Sequence, residues 1–236
     1  MKYVFIVLVF FFSFDTFSQN VLLEENPIND TLIPKKGPNL RRFSHFYMGY
    51  EVIADNFSDQ SATVKNAVSN VFFLGYRHKM KINNFWSVGY ALNFNSSTYS
   101  IKQNAKKIFP DSLKHKRERL IVSGLGVQLF TRFNFDKRGN KIGKYLDVGC
   151  YASWDFANSH FIRDNTVAAD SSNAKVITVT EQKLKYFENY EYGFKARIGS
   201  NHIAISATYR FSDLIKPSYK YPELPKLSVG LEIGIY

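Results

Sequence analysis

An all-β fold, eight antiparallel strands closed into an up-and-down transmembrane barrel, is predicted by three features of the sequence. The first is a series of segments in which every second residue is large and apolar, the period of a strand with two unlike faces. The second is where the bulk lies. In Phe85–Asn95, Trp86, Val88, Tyr90, Leu92 and Phe94 share one face, and Ser87, Gly89, Ala91, Asn93 and Asn95 the other. A soluble sandwich turns its large apolar groups inward to fill a core about 10 Å thick. A closed sheet of about eight strands has little room inside, so small and polar groups go inward and bulk goes out to lipid. The third is that short and long connections alternate along the chain.

A chain of 236 residues with 45% hydrophobic content fits a single all-β domain. The lone cysteine, Cys150, rules out an internal disulfide framework and reads as a small apolar strand residue. Residues 1–18 read as a secretory signal peptide. Lys2 precedes the apolar run YVFIVLVFFFSF over 3–14, and Thr16 and Ser18 are small residues before a cut at Gln19. The run is shorter than the roughly 20 residues a membrane helix needs. No cysteine follows it, so an N-terminal lipid anchor is not expected. Residues 19–43 carry three prolines and no sustained period, and read as a basic periplasmic linker with Lys35, Lys36, Arg41 and Arg42 near its end.

From residue 44 the strands follow in order. The first, His45–Ala54, sets Phe46, Met48, Tyr50 and Val52 against His45, Tyr47, Gly49 and Glu51; the second, Val71–Lys81, sets Phe72, Leu74, Tyr76 and Met80 against Phe73, Gly75, Arg77 and Lys79. The third is Phe85–Asn95. The fourth, Leu120–Phe135, sets Leu125, Val127, Leu129 and Phe133 against Gly124, Gly126, Gln128, Phe130 and Arg132. The fifth, Tyr145–Phe156, sets Leu146, Val148, Cys150, Ala152 and Trp154 against Asp147, Gly149, Tyr151, Ser153 and Asp155. The sixth, Asn189–Ile198, turns Glu191, Gly193, Lys195 and Arg197 inward; the seventh, His202–Phe211, turns Ala204, Ser206, Thr208 and Arg210 inward; the eighth, Leu227–Tyr236, turns Ser228, Gly230, Glu232 and Gly234 inward. Strict parity puts Ile235 on the lipid face and Tyr236 with the inner set. Inner-face glycines recur, and large inner aromatics such as Phe73 and Phe130 are expected to fill the space beside them. Turns are short around 83–84, 136–143 and 199–201. The connections 55–70, 96–119, 157–188 and 212–226 are long, and 157–188 is expected to extend its flanking strands.

This pattern, with the ending YRFSDLIKPSYKYPELPKLSVGLEIGIY, resembles the small eight-stranded outer-membrane barrels of the Bacteroidota, the PorT-like family. The resemblance covers about 44–236 and implies a bacterial outer-membrane location. Some PorT-type proteins support a secretion and gliding apparatus, so it also implies a possible secretion-related role.

The inner face holds Glu51, Asp147, Asp155, Glu191 and Glu232 beside Arg77, Lys79, Arg132, Lys195, Arg197 and Arg210. Unpaired buried charge is costly, so these groups are expected to pair as a polar plug, the alternative being a proton or ion path. The stretch 102–119 carries Lys102, Lys106, Lys107, Lys114, Lys116, Arg117 and Arg119 against Asp111 and Glu118. It reads as a solvated charged loop or, alternatively, as a surface for anionic lipid such as lipopolysaccharide. No catalytic constellation is expected. His78 falls toward the periplasmic end, and Ser159 and His160 are adjacent and so on opposite faces. Five scattered histidines show no metal-ligand spacing, and no cofactor or nucleic-acid motif is present. The expected role is that of a plugged barrel displaying external loops to a partner; the alternative is a small-solute channel or lipid-handling barrel.

Overall fold

In the computed structural model, residues 36–54, 64–104, 107–135, 139, 141–165 and 176–235 are described. The leader over 1–18, the linker up to 35, Lys106 and Tyr236 lie outside the described residues. Nine strands form one antiparallel sheet: β1 (Arg42–Ile53), β2 (Asn70–Lys81), β3 (Trp86–Ser100), β4 (Arg117–Asn134), β5 (Lys144–Asn165), β6 (Val176–Gln182), β7 (Tyr190–Ser200), β8 (Ile203–Arg210) and β9 (Leu227–Ile235). The helices among the described residues are two single turns, Asn66–Val68 and Pro217–Tyr219.

The sheet closes on itself. Along the chain each ring strand pairs with the next, β4 pairs with β5, β5 with β7, and β9 returns to β1. The first and last strands meet in the register Phe46↔Ile235 to Ile53↔Ser228. Eight strands therefore make the ring, as the alternating segments predict. The ninth, β6, pairs only with the last third of β5, from Ser159↔Gln182 to Asn165↔Val176. The connection 157–188 does extend its flanking strand, and β6 is the part the sequence reading placed in a loop. Its seven residues are all exposed, so no buried face marks it out.

The two faces fall where period 2 puts them. Phe46, Leu74, Leu92, Leu129, Ile198, Ile205 and Leu231 are among the large apolar side chains exposed on the outside, while Tyr47, Phe73, Arg77, Arg132, Asp147, Arg197 and Glu232 are buried inside. Ile235 is on the outer face. Among the described residues no Asp, Glu, Lys or Arg faces outward between Phe46 and Tyr50, between Trp86 and Phe94, or at the matching levels of the other ring strands. The interior is crowded. A Cβ on Gly49 would lie 2.2 Å from the Phe73 ring, and one on Gly89 would lie 2.6 Å from the Phe130 ring, so glycine on one strand makes room for an aromatic on the next.

One irregularity changes a face. Between Ser123 and Gly124 the β4–β5 register shifts, pairing Ser123 with Ala157 but Gly124 with Asp155. Phe156 is the extra residue of this bulge, and both it and Ala157 are exposed. Beyond it parity inverts. Strict alternation from Asp147 would send His160 outward; the bulge brings it inward, where it is buried.

Candidate functional site

Three layers fill the ring. The lowest, toward the short turns, is built from β2, β4, β5, β7 and β9. Arg132 donates from Nε to Asp147 Oδ1 at 2.6 Å and from Nη2 to Oδ2 at 2.8 Å. Arg197 contacts the same carboxylate at 3.1 Å and Glu232 at 3.4 Å, and donates to Gln128 Oε1 at 3.2 Å. Arg77 reaches Glu232 at 2.5 Å. The Phe130 ring stands among the three guanidiniums, 5.7, 5.8 and 5.1 Å from Arg77, Arg132 and Arg197. Tyr47 and Tyr145 cover Arg77 and Arg132 at 4.0 and 3.8 Å. Three cations thus share two carboxylates, and aromatic faces supply further negative potential. Below this layer Lys79 donates to the Pro38 carbonyl, and Phe43, Ile142, Tyr145 and Ala204 pack together.

The middle layer surrounds a cavity of about 70 Å³, enough for a few waters. Lys195 pairs with Glu51 at 3.0 Å and lies 3.6 Å over the Phe73 ring. Glu51 also accepts from Ser206 and Ser228, each at 2.6 Å. The other two predicted acids gather neutral donors: Asn95 donates to Glu191 at 3.2 Å, and Ser153 to Asp155 at 3.2 Å. Arg210 turns upward, to Glu223 at 3.0 Å and to the Ser212 and Leu224 carbonyls. The eleven predicted charges are thus all inside but do not form one network.

The top layer is apolar and comes from the long connections. Val64, Ile101, Phe109, Leu184, Phe187, Leu214, Ile215 and Leu224 are buried with Ile53, Tyr99, Leu120 and Val122 of the strands. Glu223 ties this lid to the ring: besides Arg210 it accepts from the Leu214 and Ile215 amides at 2.9 and 3.2 Å. Bridges Val64↔Ile101 and Phe187↔Ile215 knit the connections to one another. The sequence reading missed the lid and Glu223; the one available signal is the apolar residues in connections that are otherwise polar.

The basic stretch 102–119 is divided. Lys114, Lys116 and Arg117 are exposed and Lys102 and Arg119 half-buried. Lys107 is buried, held by Asp111 at 2.8 Å, Glu118 at 2.5 Å and the Leu113 carbonyl at 2.6 Å. Glu118 also accepts from Gln103 and bonds His160 at 2.9 Å. Asp111, His115 and Glu118 offer ligand atoms within 4.8 Å of one another. The Lys107 ammonium stands between the two carboxylates, where a metal's charge would be needed, so the group is already charge-matched. His115 bridges Asp164 at 2.6 Å and Asp111 at 3.2 Å. Burial works against its charge, but the hydrogen bonds to Asp164 and Asp111 outweigh that and raise its pKa above the ordinary histidine value.

Of the histidines considered for catalysis, His78 shares a 2.7 Å hydrogen bond with Ser44 on the outer face and stacks near Tyr90. The hydrogen bonds among the described residues place no carboxylate behind its ring. Ser159 faces away from the buried His160. Neither a family model nor a curated protein matches the chain.

Proposed function

We propose that the chain is an eight-stranded outer-membrane β-barrel whose interior is plugged, and that it acts as a structural or interaction protein through the end bearing the long connections. The observation that carries this reading is the inversion of faces: ions buried inside, and an outer band of apolar side chains without a charged residue. The nine residues from Trp86 to Phe94 match the roughly 9–11 tilted residues of a membrane-crossing strand. Exposed aromatics mark both margins, Phe46, Phe85 and Trp86 toward the turns and Phe72, Trp154, Phe156 and Tyr190 toward the long connections, as in the girdles of such barrels. A PorT-like, secretion-related role belongs to this reading as its most specific form. A conducting pore is disfavoured, because the apolar lid and the arginine layer lie across the interior in series.

Three measurements test it. Unboiled protein should migrate apart from boiled protein on an SDS gel and fractionate with outer membrane; equal mobility with recovery in the soluble periplasm refutes the barrel. Reconstituted protein should show background conductance in a planar bilayer, and a steady ion-selective current would promote the channel reading. Leu129→Arg should cost about 2–4 kcal/mol in folding into lipid, more than Gln128→Arg on the inner face.

A further inference from the structure

We infer that a recess on the outer side of the β4–β5 pair, beside the Phe156 bulge, binds the phosphate-bearing head group of an anionic membrane lipid. This rests on the proposal that the outer band meets lipid. The recess measures about 590 Å³, within the range of ligand sites. Its apolar floor includes Ile121, Phe156 and Leu184, its rim carries Lys183, Lys185 and Lys216, and no carboxylate lines it.

The cationic rim is unspent. Among the described residues none of these three lysines forms an ion pair, whereas Lys107 and Lys226 nearby are matched by Asp111 and Asp213. The rim is also held in place by its backbone. Lys183 sits at φ 58°, a left-handed conformation that a lysine rarely adopts. Its amide donates to the Asn158 carbonyl at 3.2 Å, and the next amide donates to Asn158 Oδ1 at 2.5 Å. The Lys216 amide donates to the Tyr186 carbonyl at 2.9 Å. Two separate connections are thereby held so that Lys183 and Lys216 line one hollow.

Position selects the ligand. Phe156 in the floor lies 6.0 Å from Trp154 and 6.5 Å from Phe94, both at the upper margin of the apolar band. The floor thus continues into the surface that acyl chains would cover, with the lysines just above it. A free phosphate would use the rim and leave the floor in water; an anionic lipid uses both.

The two tryptophans report opposite ends of the barrel. Full-length Trp86→Phe protein, keeping Trp154, is reconstituted into vesicles containing brominated phosphatidylglycerol or brominated phosphatidylcholine. Quenching of Trp154 should show a preference for the anionic lipid of at least about fivefold, the attraction of roughly one lysine to an anionic surface. Trp154→Phe protein, read through Trp86, should show a ratio near one. Lys183→Gln, Lys185→Gln and Lys216→Gln together should bring the Trp154 ratio toward one while gel mobility remains heat-modifiable. Equal quenching of Trp154 by both lipids overturns the site and leaves the barrel standing. A preference that survives the triple substitution overturns the assignment to these lysines, and its loss on adding inorganic phosphate shows a free-anion site instead. Absence of quenching of either tryptophan by either lipid overturns the membrane reading beneath the proposal.

Discussion

The two ends of the ring are closed by opposite chemistry. Toward the short turns, three guanidiniums share Asp147 and Glu232 around Phe130. Toward the long connections, Phe109, Leu184, Phe187 and Leu214 form an apolar lid. The arginine layer stands on ring strands, β2, β4, β5, β7 and β9, whose positions the ladder fixes, and its members depend on one another across the interior. The lid is assembled from segments far apart in sequence and depends on their returning together. Damage to the first should therefore spread to the whole ring, and damage to the second should stay local.

Glu232→Ala tests this most severely. It leaves Arg77 and half of Arg197's pairing uncompensated in the interior, and breaking a buried pair costs about 3–5 kcal/mol. The denaturant midpoint of the whole ring should fall by that amount, with Glu232→Gln falling less. A loss confined to the long connections would mean that the arginine layer is not what couples the strands.

Phe187→Ala should cost up to about 3 kcal/mol, the lower end for a buried phenylalanine, because the hollow can open toward the loop end. Hydrogen exchange should speed up in 184–187 and 212–224 and stay unchanged in β2 and β4. Uniform acceleration across the ring would erase the distinction between the two ends.

The smallest effect concerns pH and is read at the lid end. His115 has a raised pKa when its carboxylate partners are in place, so its contribution is fully present below the unfolded histidine value of about 6.5 and is lost as pH rises through the folded value. Asp111 and Asp164 are partly exposed, which keeps the effect below about 1 kcal/mol. Protection of amides 111–118, corrected for intrinsic exchange, should decline above neutral pH in the parent and stay flat in His115→Gln. A matching decline in β9 would place the titrating group elsewhere.

The same contrast explains what the sequence revealed. Strand faces were legible because side-chain direction repeats every two residues, so Arg77, Arg132, Asp147 and Glu232 could be assigned to the interior without knowing their partners. Pairing was less legible: Asp155 and Glu191 drew Ser153 and Asn95, and Arg210 drew Glu223 from a connection. Lys107 looked like one more solvated base because the carboxylate that buries it, Glu118, stands at the start of β4 rather than in its own turn. Strict parity alone would leave His160 outside; a single extra residue, Phe156, turns it inward, and that bulge has no mark in the local alternation. The lid has no period at all, and β6 has no buried face.

The β1–β9 pairing has a consequence in time. Phe46 opposes Ile235, so this seam joins strands from nearly the whole length of the described chain, whereas every other ring pairing joins strands that follow one another in the chain or are separated only by β6. Contacts so distant along the chain form slowly, because their loop-closure entropy must be met before they contribute. Until the seam zips, β1 and β9 each present an unpaired, apolar edge. That interval, rather than any weakness of the finished ring, is when the protein is most exposed to pairing with the wrong strand.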